Sequence, residues 1–448
     1  MRTIKYLVKE ITLILIIILQ ITIFFYIWQK FEKATYFNNT NKAWAIMTFY
    51  ALVSVLVMKL FKVFHIGHGR LLDVLFGEVS ATTVTNIFMY LQLCMLKNYP
   101  YLYSIKVIGL IIFVNSVLSC IILTLLQVFY SHMTPIQNAV LIMNEKSDIE
   151  HIIKKKKRND KLIDIKDTYK VPSGEPNCLL EIEDIIKNYN IVIIDDLYPL
   201  LRNNILKYCY ENNKKCYSVT KTADILIQSG KMTYLGYRPV LMHNTKELLF
   251  FQGLCKRFLD IFISLIGLIA TLPLLILSGI FIKITDKGPI FFTQYRYTKD
   301  KRLFKIYKFR SMYINTNNIN PTLKNDSRIT PIGKVLRRTH IDELPQLINV
   351  LKGEMSIVGP RPEMKEIYDK YEKKYPEYKY RLKVKAGLTG YAQIYGKYDT
   401  SPKDKLKFDM YYICNYSLLL DLKLMLLTFK IIFMKDTSEG REDKNDEL

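Results

Sequence analysis

Four long, nearly uncharged stretches, residues 11–28, 43–61, 81–96 and 105–130, limit what this chain can fold into. Each is near or above the roughly 17 to 25 apolar residues that cross a bilayer as a helix. Their spacing predicts an N-terminal bundle of four transmembrane helices, the third being the weakest. Trp28 closes the first stretch and Trp44 opens the second, where amphipathic rings favour the membrane interface. The first stretch has no small-residue cleavage site and runs into Gln29-Lys30, so it reads as a retained anchor. Arg2, Lys5 and Lys9 before it and Lys30, Lys33 and Lys42 after it balance one another. An even number of spans, followed by a large Lys-rich region, puts both ends of the bundle on the cytoplasmic side.

The net charge of +23 on 448 residues fits the anionic inner leaflet and phosphorylated substrates. The Lys154 to Arg158 run reads as a solvated surface or a headgroup contact. No stretch interleaves aromatic and basic residues as a nucleic-acid module does, so no nucleic-acid partner is expected. The seven cysteines are scattered without a Cys-x-x-Cys pair, which points to neither a disulfide framework nor a zinc site. His65 and His68, beside Gly67 and Gly69, read as a turn.

From about residue 138 to 248 the chain turns soluble in character. Ala139–Met143 and Ile191–Ile194 are short apolar runs of the buried-strand kind, alternating with helical patterns over Glu181–Tyr189 and Leu200–Tyr210. This predicts a small α/β domain with a parallel sheet. A dinucleotide site needs a Gly-rich turn after the first strand, and here that turn is Asn144-Glu145-Lys146-Ser147. A regulatory, scaffolding or oligomerising role is expected instead.

Residues 258–282 form a fifth apolar stretch, interrupted by Pro273. Lys256 and Arg257 precede it and Lys283 and Lys287 follow, a pattern that a crossing helix under the positive-inside bias avoids. A re-entrant helix that breaks at Pro273 and returns to the same side resolves this, with Thr271 and Ser278 as candidates to satisfy the break. Leu418–Met434 is apolar but carries Asp421, Lys423 and Lys430, which suits an interfacial helix. The polar residues from Asp436 on are expected to be disordered.

The chemistry concentrates between residues 337 and 362. Adjacent carboxylates, Asp342 and Glu343, stand where a short helix is predicted to begin, with Pro345 in its first turn and Gly353 as its stop. Unpaired N–H groups there favour ionised acids and attract phosphate. Arg337, Arg338 and Arg361 are close in sequence. A deprotonated Asp can serve as a nucleophile and a neighbouring Glu can hold a divalent cation. Taken alone, the pair also reads as an acidic first turn with no chemistry.

These residues carry a resemblance. Lys256-Arg257 with Asp260, Gly288-Pro289-Ile290-Phe291-Phe292 with Gln294 and Arg296, and Lys308-Phe309-Arg310-Ser311-Met312 come first. Asp326 with Arg328 and Thr330, then Gly333, the Asp342-Glu343-Leu344-Pro345-Gln346 run, Gly359-Pro360-Arg361-Pro362 and Gly387-Leu388-Thr389-Gly390 follow in order. From Lys256 to about Phe433 the chain resembles the bacterial sugar transferase domain of the monotopic phosphoglycosyl transferases. The whole chain resembles the large polyprenyl-phosphate sugar-phosphate transferases that start exopolysaccharide, capsule or O-antigen synthesis.

The resemblance implies a re-entrant helix and Mg²⁺ as cofactor. It implies that Asp342 attacks the sugar-linked phosphate of a UDP-sugar, releasing UMP, and that undecaprenyl phosphate then accepts the phosphosugar. Glu343, with Asp342, would hold the metal. Arg337 and Arg361 match phosphate-binding positions, and Lys308, Arg310 and Lys397 join them as weaker matches. The chain departs from the pattern at Thr298 and Lys397, where Gly and Arg are common, and at Leu272 before Pro273, where Ser is frequent. Lys397 keeps the charge and loses the guanidinium fork.

The expected division is a four-helix transmembrane bundle over 1–135 and a Rossmann-like cytoplasmic domain without the dinucleotide fingerprint over 136–250. A catalytic domain over 251–435, holding the re-entrant helix 258–282, and a tail over 436–448 complete it. The chain would work at the inner face of a bacterial cytoplasmic membrane, and a homodimer is compatible with the large relatives. The competing readings are a non-catalytic membrane scaffold and a membrane-bound nucleotide-sugar epimerase or dehydratase. The latter would use a Tyr-x-x-x-Lys pair on a helix, and Tyr375 and Lys379 have that spacing with Pro376 between them.

Overall fold

The computed structural model describes residues 2–32, 40–61, 63–65, 71–97, 105–133, 136–145, 163–172, 178–243, 250–285, 287–313, 326–396 and 400–432. The Lys154–Arg158 run, the His68 turn, Lys397 and the tail from Asp436 lie outside them, as do Lys146 and Ser147. By backbone contacts the chain divides into two units, Met1–Val219 and Thr220–Leu448.

The first unit opens with the apolar helices α1 (Arg2–Glu32), α2 (Thr40–Leu60), α3 (Leu71–Lys97) and α4 (Ile105–Met133). Each holds a segment long and apolar enough to cross a membrane. The third begins ten residues before the uncharged run, because Asp73, Gly77 and Glu78 interrupt the apolar pattern over residues 71–80 without breaking the helix. Leu15, Leu52, Phe88, Phe113 and Leu125 remain exposed, while Phe24, Trp28, Tyr50, Met89 and Ile111 fill the interior. Trp28 is therefore not an interfacial ring: it stacks on Phe24 at 5.8 Å and is only 3% exposed. Trp44 is exposed.

A mixed α/β region follows. Strands β1 (Gln137–Asn144), β2 (Ile163–Val171), β3 (Ile191–Asp195) and β4 (Lys215–Ser218) form one sheet in the order β2-β1-β3-β4, with every pair parallel. Val140, Ile142, Val192 and Ile194 pack against Ile182 and Ile186 of α5 (Leu179–Lys187) and Leu201, Ile205 and Cys209 of α6 (Pro199–Glu211). The central strands are the apolar runs of the sequence. Strand β2 escaped notice because, at the sheet edge, most of it alternates polar and half-exposed residues without an apolar run.

In the second unit, α7 (Thr222–Ser229) and the hairpin β5 (Lys231–Leu235) and β6 (Arg238–Met242) precede the 36-residue helix α8 (Phe250–Thr285). The backbone stays helical through Pro273, so the break expected there is not a non-helical segment. A single missing N–H leaves the flanking dihedrals intact, and Thr271 Oγ1 donates to Gly267 O at 2.7 Å one turn before. One stripe of α8, including Asp260, Ser264, Ser278, Gly279 and Ile282, is buried, while Phe262, Ile266, Ile269, Leu277 and Phe281 are exposed.

The rest of the unit lies against that stripe. It comprises the antiparallel hairpin β7 (Phe291–Tyr297) and β8 (Leu303–Phe309), helix α9 (Pro331–Arg338), helix α10 (Gln346–Lys352) and the parallel pair β9 (Ser356–Val358) and β10 (Gly387–Thr389). Helices α11 (Lys365–Lys374), α12 (Tyr391–Tyr395), α13 (Pro402–Cys414) and α14 (Leu418–Ile432) complete it. The core joins Phe304, Leu347, Val350, Met355, Val358, Tyr412 and Leu424.

The polar residues of α8 are ties to this core. Arg257 donates to the carbonyls of Val350 (2.6 Å) and Leu351 (2.7 Å), the open end of α10, where Gly353 turns the chain at φ +85°. Asp260 Oδ1 accepts from Ile357 N at 2.9 Å and Ser356 Oγ at 3.0 Å. Lys256 Nζ meets Asp421 at 2.7 Å and Val358 O at 3.0 Å. Asp421 of α14 is thus buried, not turned to the headgroups, and Lys256 and Arg257 ahead of the apolar stretch serve packing. Arg257→Ala is expected to cost roughly 1.5–3 kcal/mol in the unfolding of the detergent-held protein, the range for hydrogen bonds to a charged group.

Candidate active site

Strand β8 ends at Lys308-Phe309, and Arg310-Ser311 then ties to α9: Thr330 N donates to Ser311 O at 3.0 Å and Arg337 Nε to Ser311 Oγ at 2.7 Å. Thr330 caps α9 by accepting from Gly333 N at 2.9 Å. His340, in the left-handed region at φ 57°, ends that helix and starts a 3₁₀ turn over Ile341–Glu343. A non-glycine residue there is uncommon, and its place beside the carboxylate pair is where backbone strain gathers. Pro345 is the N-cap of α10 and not a residue of its first turn, so the helix begins at Gln346, after the acids and not at them. The acids consequently precede the helix on their own tight turn.

That turn separates the two acids chemically. Glu343 accepts from Lys308 Nζ at 2.7 Å and from Arg361, whose Nη1 lies 3.1 Å from Oε2 and whose Nη2 meets Oε1. Burial pushes Glu343 up, but Arg361 and Lys308 outweigh it and hold the carboxyl well below its ordinary value. Asp342 is only 9% exposed and has no hydrogen-bond partner among the described residues. Burial first, then the charge of Glu343, raise it from 3.8 to about 6, against the pull of Lys308, Arg337 and Arg361. The expectation that a helix N-terminus keeps both acids readily ionised is corrected here. Lys308 and Arg361 both bond to Glu343, and the dry site disfavours a second charge.

Arg361 is presented by a loop where two strands approach closely. Gly359 N donates to Thr389 O at 2.8 Å and Gly387 N to Pro360 O at 2.9 Å, and a Cβ on Gly387 would lie 2.1 Å from Gly359 N. Arg381 Nη2 then donates to Arg361 O at 2.9 Å while its Nε meets Asp409 at 2.6 Å, a pair only 3% and 1% exposed. Arg296 Nη1 reaches Pro362 O at 3.3 Å, and burial lowers its guanidinium to about 10.

The structure brings together Asp342, Glu343, Lys308 and Arg361, with Arg337 close enough to act on Asp342. Arg310 is buried. Sequence reasoning missed Arg381 and Asp409, which lie 28 residues apart and carry no local signature in a chain with 32 tyrosines. Tyr375 and Lys379 do not share an α-helix: Tyr375 precedes a 3₁₀ segment over Pro376–Lys383.

For a divalent cation the residues fit in a limited way. The partnerless Asp342 carboxylate beside Glu343 offers hard oxygen donors, and no group of three or more His, Cys, Asp or Glu gathers among the described residues. Such a donor set matches Mg²⁺ held by one or two carboxylates, with waters and substrate phosphate completing its shell.

The fold and this centre define a membrane-associated domain that sets an acidic pair against guanidinium and ammonium groups. Residues 251–435 match the bacterial sugar transferase family. The UDP-N-acetylgalactosamine-undecaprenyl-phosphate N-acetylgalactosaminephosphotransferase of Aeromonas hydrophila is 41% identical over 182 residues, covering 40% of this chain and 43% of that one. The UDP-glucose:undecaprenyl-phosphate glucose-1-phosphate transferase of Klebsiella pneumoniae is 43% identical over 180 residues, 39% of each chain. The exopolysaccharide production protein PSS of Rhizobium leguminosarum bv. phaseoli is 41% identical over 181 residues, 38% of this chain and 90% of that one. The chain belongs to the bacterial sugar transferase family. Its match covers less than half the length of the first two relatives.

Asp342 makes the site's stability depend on pH. Its folded pKa of about 6 exceeds the ordinary 3.8, so its contribution is fully present below about 3.8 and is lost as pH rises through about 6. Asp342→Asn is therefore expected to stabilise the substrate-free protein above pH 6 by up to about 3 kcal/mol and to match the parent below pH 4. Thermal unfolding of both proteins across that range is the measurement.

Proposed function

We propose that the chain transfers a sugar 1-phosphate from a UDP-sugar to undecaprenyl phosphate, releasing UMP, as the first membrane step of exopolysaccharide, capsule or O-antigen synthesis. One observation carries this reading. Of two adjacent buried carboxylates, Glu343 is held by Lys308 and Arg361, and Asp342 is left without a partner. An unbonded carboxylate oxygen is what an attacking nucleophile must offer. The printed activities of the Aeromonas and Klebsiella relatives point to the same reaction.

In this reading Asp342, as the carboxylate, attacks the sugar-linked phosphorus. The P–O bond to UMP breaks, UMP leaves with the bonding pair, and the phosphosugar stays on Asp342. A phosphate oxygen of undecaprenyl phosphate then attacks the same phosphorus and frees the carboxylate. Arg361, Lys308 and Arg337 balance the negative charge that gathers around phosphorus, the main demand of phosphoryl transfer. Bound Mg²⁺, held by Asp342 and Glu343 with substrate oxygens, would add charge neutralisation. The charged UDP-sugar comes from water and undecaprenyl phosphate from lipid, so the site must meet both.

The same reading assigns α1 to α4 to a four-helix transmembrane bundle with both ends in the cytoplasm, and the parallel sheet to a Rossmann-like cytoplasmic domain with a regulatory, scaffolding or oligomerising role. Helix α8 is re-entrant, with its exposed apolar face in lipid. Contacts on both sides of Pro273 support this: Lys256 and Asp260 touch β9, whereas Ile282 packs with Phe309 and Leu336. A straight crossing of residues 258–282 would carry its far end roughly 35 Å from its start and through the bilayer. No observation favours the scaffold or epimerase readings.

The test is UMP release by nanodisc-held protein from a panel of UDP-sugars with undecaprenyl phosphate and Mg²⁺. One donor should give UMP, and Asp342→Asn should lower the rate by about 10³-fold or more, the scale seen when a nucleophile is removed. Mass spectrometry of the donor-treated protein should find a phosphosugar on the Asp342 peptide. UMP release that survives in Asp342→Asn would sink the covalent route.

A further inference from the structure

The interior of the N-terminal helices holds a polar cluster that the transfer reaction does not use. Glu78 of α3 is fully buried, as are Asn115 and Ser119 of α4, and Gln20 of α1 and Thr82 of α3 are 1% exposed. Gln20 Nε2 donates to Glu78 Oε1 at 2.7 Å and lies 3.1 Å from Thr82 Oγ1 and 3.2 Å from Ser119 Oγ. Thr82 Oγ1 donates to Glu78 Oε1 at 3.3 Å, and Asn115 Nδ2 reaches Gln20 O at 3.4 Å. Helices α1, α3 and α4 thus meet at one level through oxygen-rich side chains.

The donors and acceptors of this cluster do not balance. Glu78 Oε2, Gln20 Oε1 and Asn115 Oδ1 are all buried without a hydrogen-bond partner. Every one of them is an acceptor. Glu78 also has no ion pair among the described residues, although it lies within a segment apolar enough to cross a membrane. A carboxylate in that setting is costly, and buried acceptors left empty each add a further penalty. What the set lacks is positive charge.

We propose that Gln20, Glu78 and Asn115, with the hydroxyls of Thr82 and Ser119, form an intramembrane binding site for one monovalent metal cation of the size of Na⁺. Carboxylate, carboxamide and hydroxyl oxygens are hard donors suited to such an ion. One carboxylate against one monovalent ion leaves the site neutral, whereas a divalent ion would leave a net charge within the bilayer. Because the ligands come from three helices, occupancy ties α1, α3 and α4 together. Binding to the folded state alone then raises stability with ion concentration.

The experiment uses the full chain in detergent or nanodiscs. Thermal unfolding and calorimetric titration are run with NaCl, KCl and N-methylglucamine chloride at constant ionic strength, from pH 5.5 to 8.5. The parent should gain stability with each tenfold rise in Na⁺ and give a saturable Na⁺ heat, both weaker with K⁺ and absent with N-methylglucamine. Glu78→Gln, an isosteric neutral change, should fold, lose the Na⁺ response by about tenfold or more, and release UMP normally, since removing a charged partner abolishes what it paired with. Asn115→Ala should weaken Na⁺ binding without altering UMP release, which keeps this site's outcome separate from that of the transfer reaction. A parent that responds to pH and not to Na⁺ would mean that Glu78 is simply a protonated acid, and the proposal fails. Equal stability in all three salts at every pH would mean polar packing between helices, and it fails likewise.

Discussion

The repulsion between two adjacent carboxylates in a nearly dry site is the constraint around which the catalytic unit is arranged. Asp342 and Glu343 follow one another in sequence, and burial penalises the charge on both. The structure meets this by asymmetry. Lys308 from a hairpin strand and Arg361 from a distant loop both bond to Glu343, which keeps its charge, and Asp342 is left as the acid that ionises at the higher pH. A buried ion pair of this kind contributes little net stability, because desolvation offsets most of its Coulombic gain. Its value lies in geometry: it fixes which of two like groups is held and which is free.

Holding that asymmetry requires rigid support for elements that are far apart in sequence. Helix α8 supplies much of it. Its Arg257 closes the end of the helix that follows the acids, its Asp260 binds the strand that leads to Arg361, and its Lys256 joins that strand to α14 through Asp421. On the other side of Arg361, the buried Arg381–Asp409 pair holds the backbone carbonyl of the same residue. The long apolar helix therefore does two jobs with two faces. One face is exposed and apolar, and the other is threaded with polar groups that position the chemistry. In the function proposed above, this couples attachment to lipid with the geometry of the acids, which suits a lipid acceptor.

How much of this was legible in the sequence varied with the range of the signal. The acids, Arg361, the stop at Gly353 and the apolar helices were readable because each rests on local pattern or on length. The central strands β1 and β3 were readable as apolar runs, while β2 was not, since its exposed residues hide it. Trp28 was misplaced because a tryptophan at the end of an apolar stretch looks alike whether its ring turns to headgroups or to Phe24. Asp421 reads as a surface charge for a similar reason: nothing near it in sequence announces Lys256, which lies 165 residues away.

By itself the sequence determined that the chain holds several apolar helices of membrane length and a mixed α/β region, and the family it belongs to. Those properties follow from apolar length, period and residue order, which are local or linear. Only the tertiary structure decided that Glu343 and not Asp342 takes both cations, that the backbone remains helical through Pro273, and that Glu78 sits among unpaired oxygens. These depend on desolvation and on pairing across large sequence separations, and neither has a value until the chain has folded.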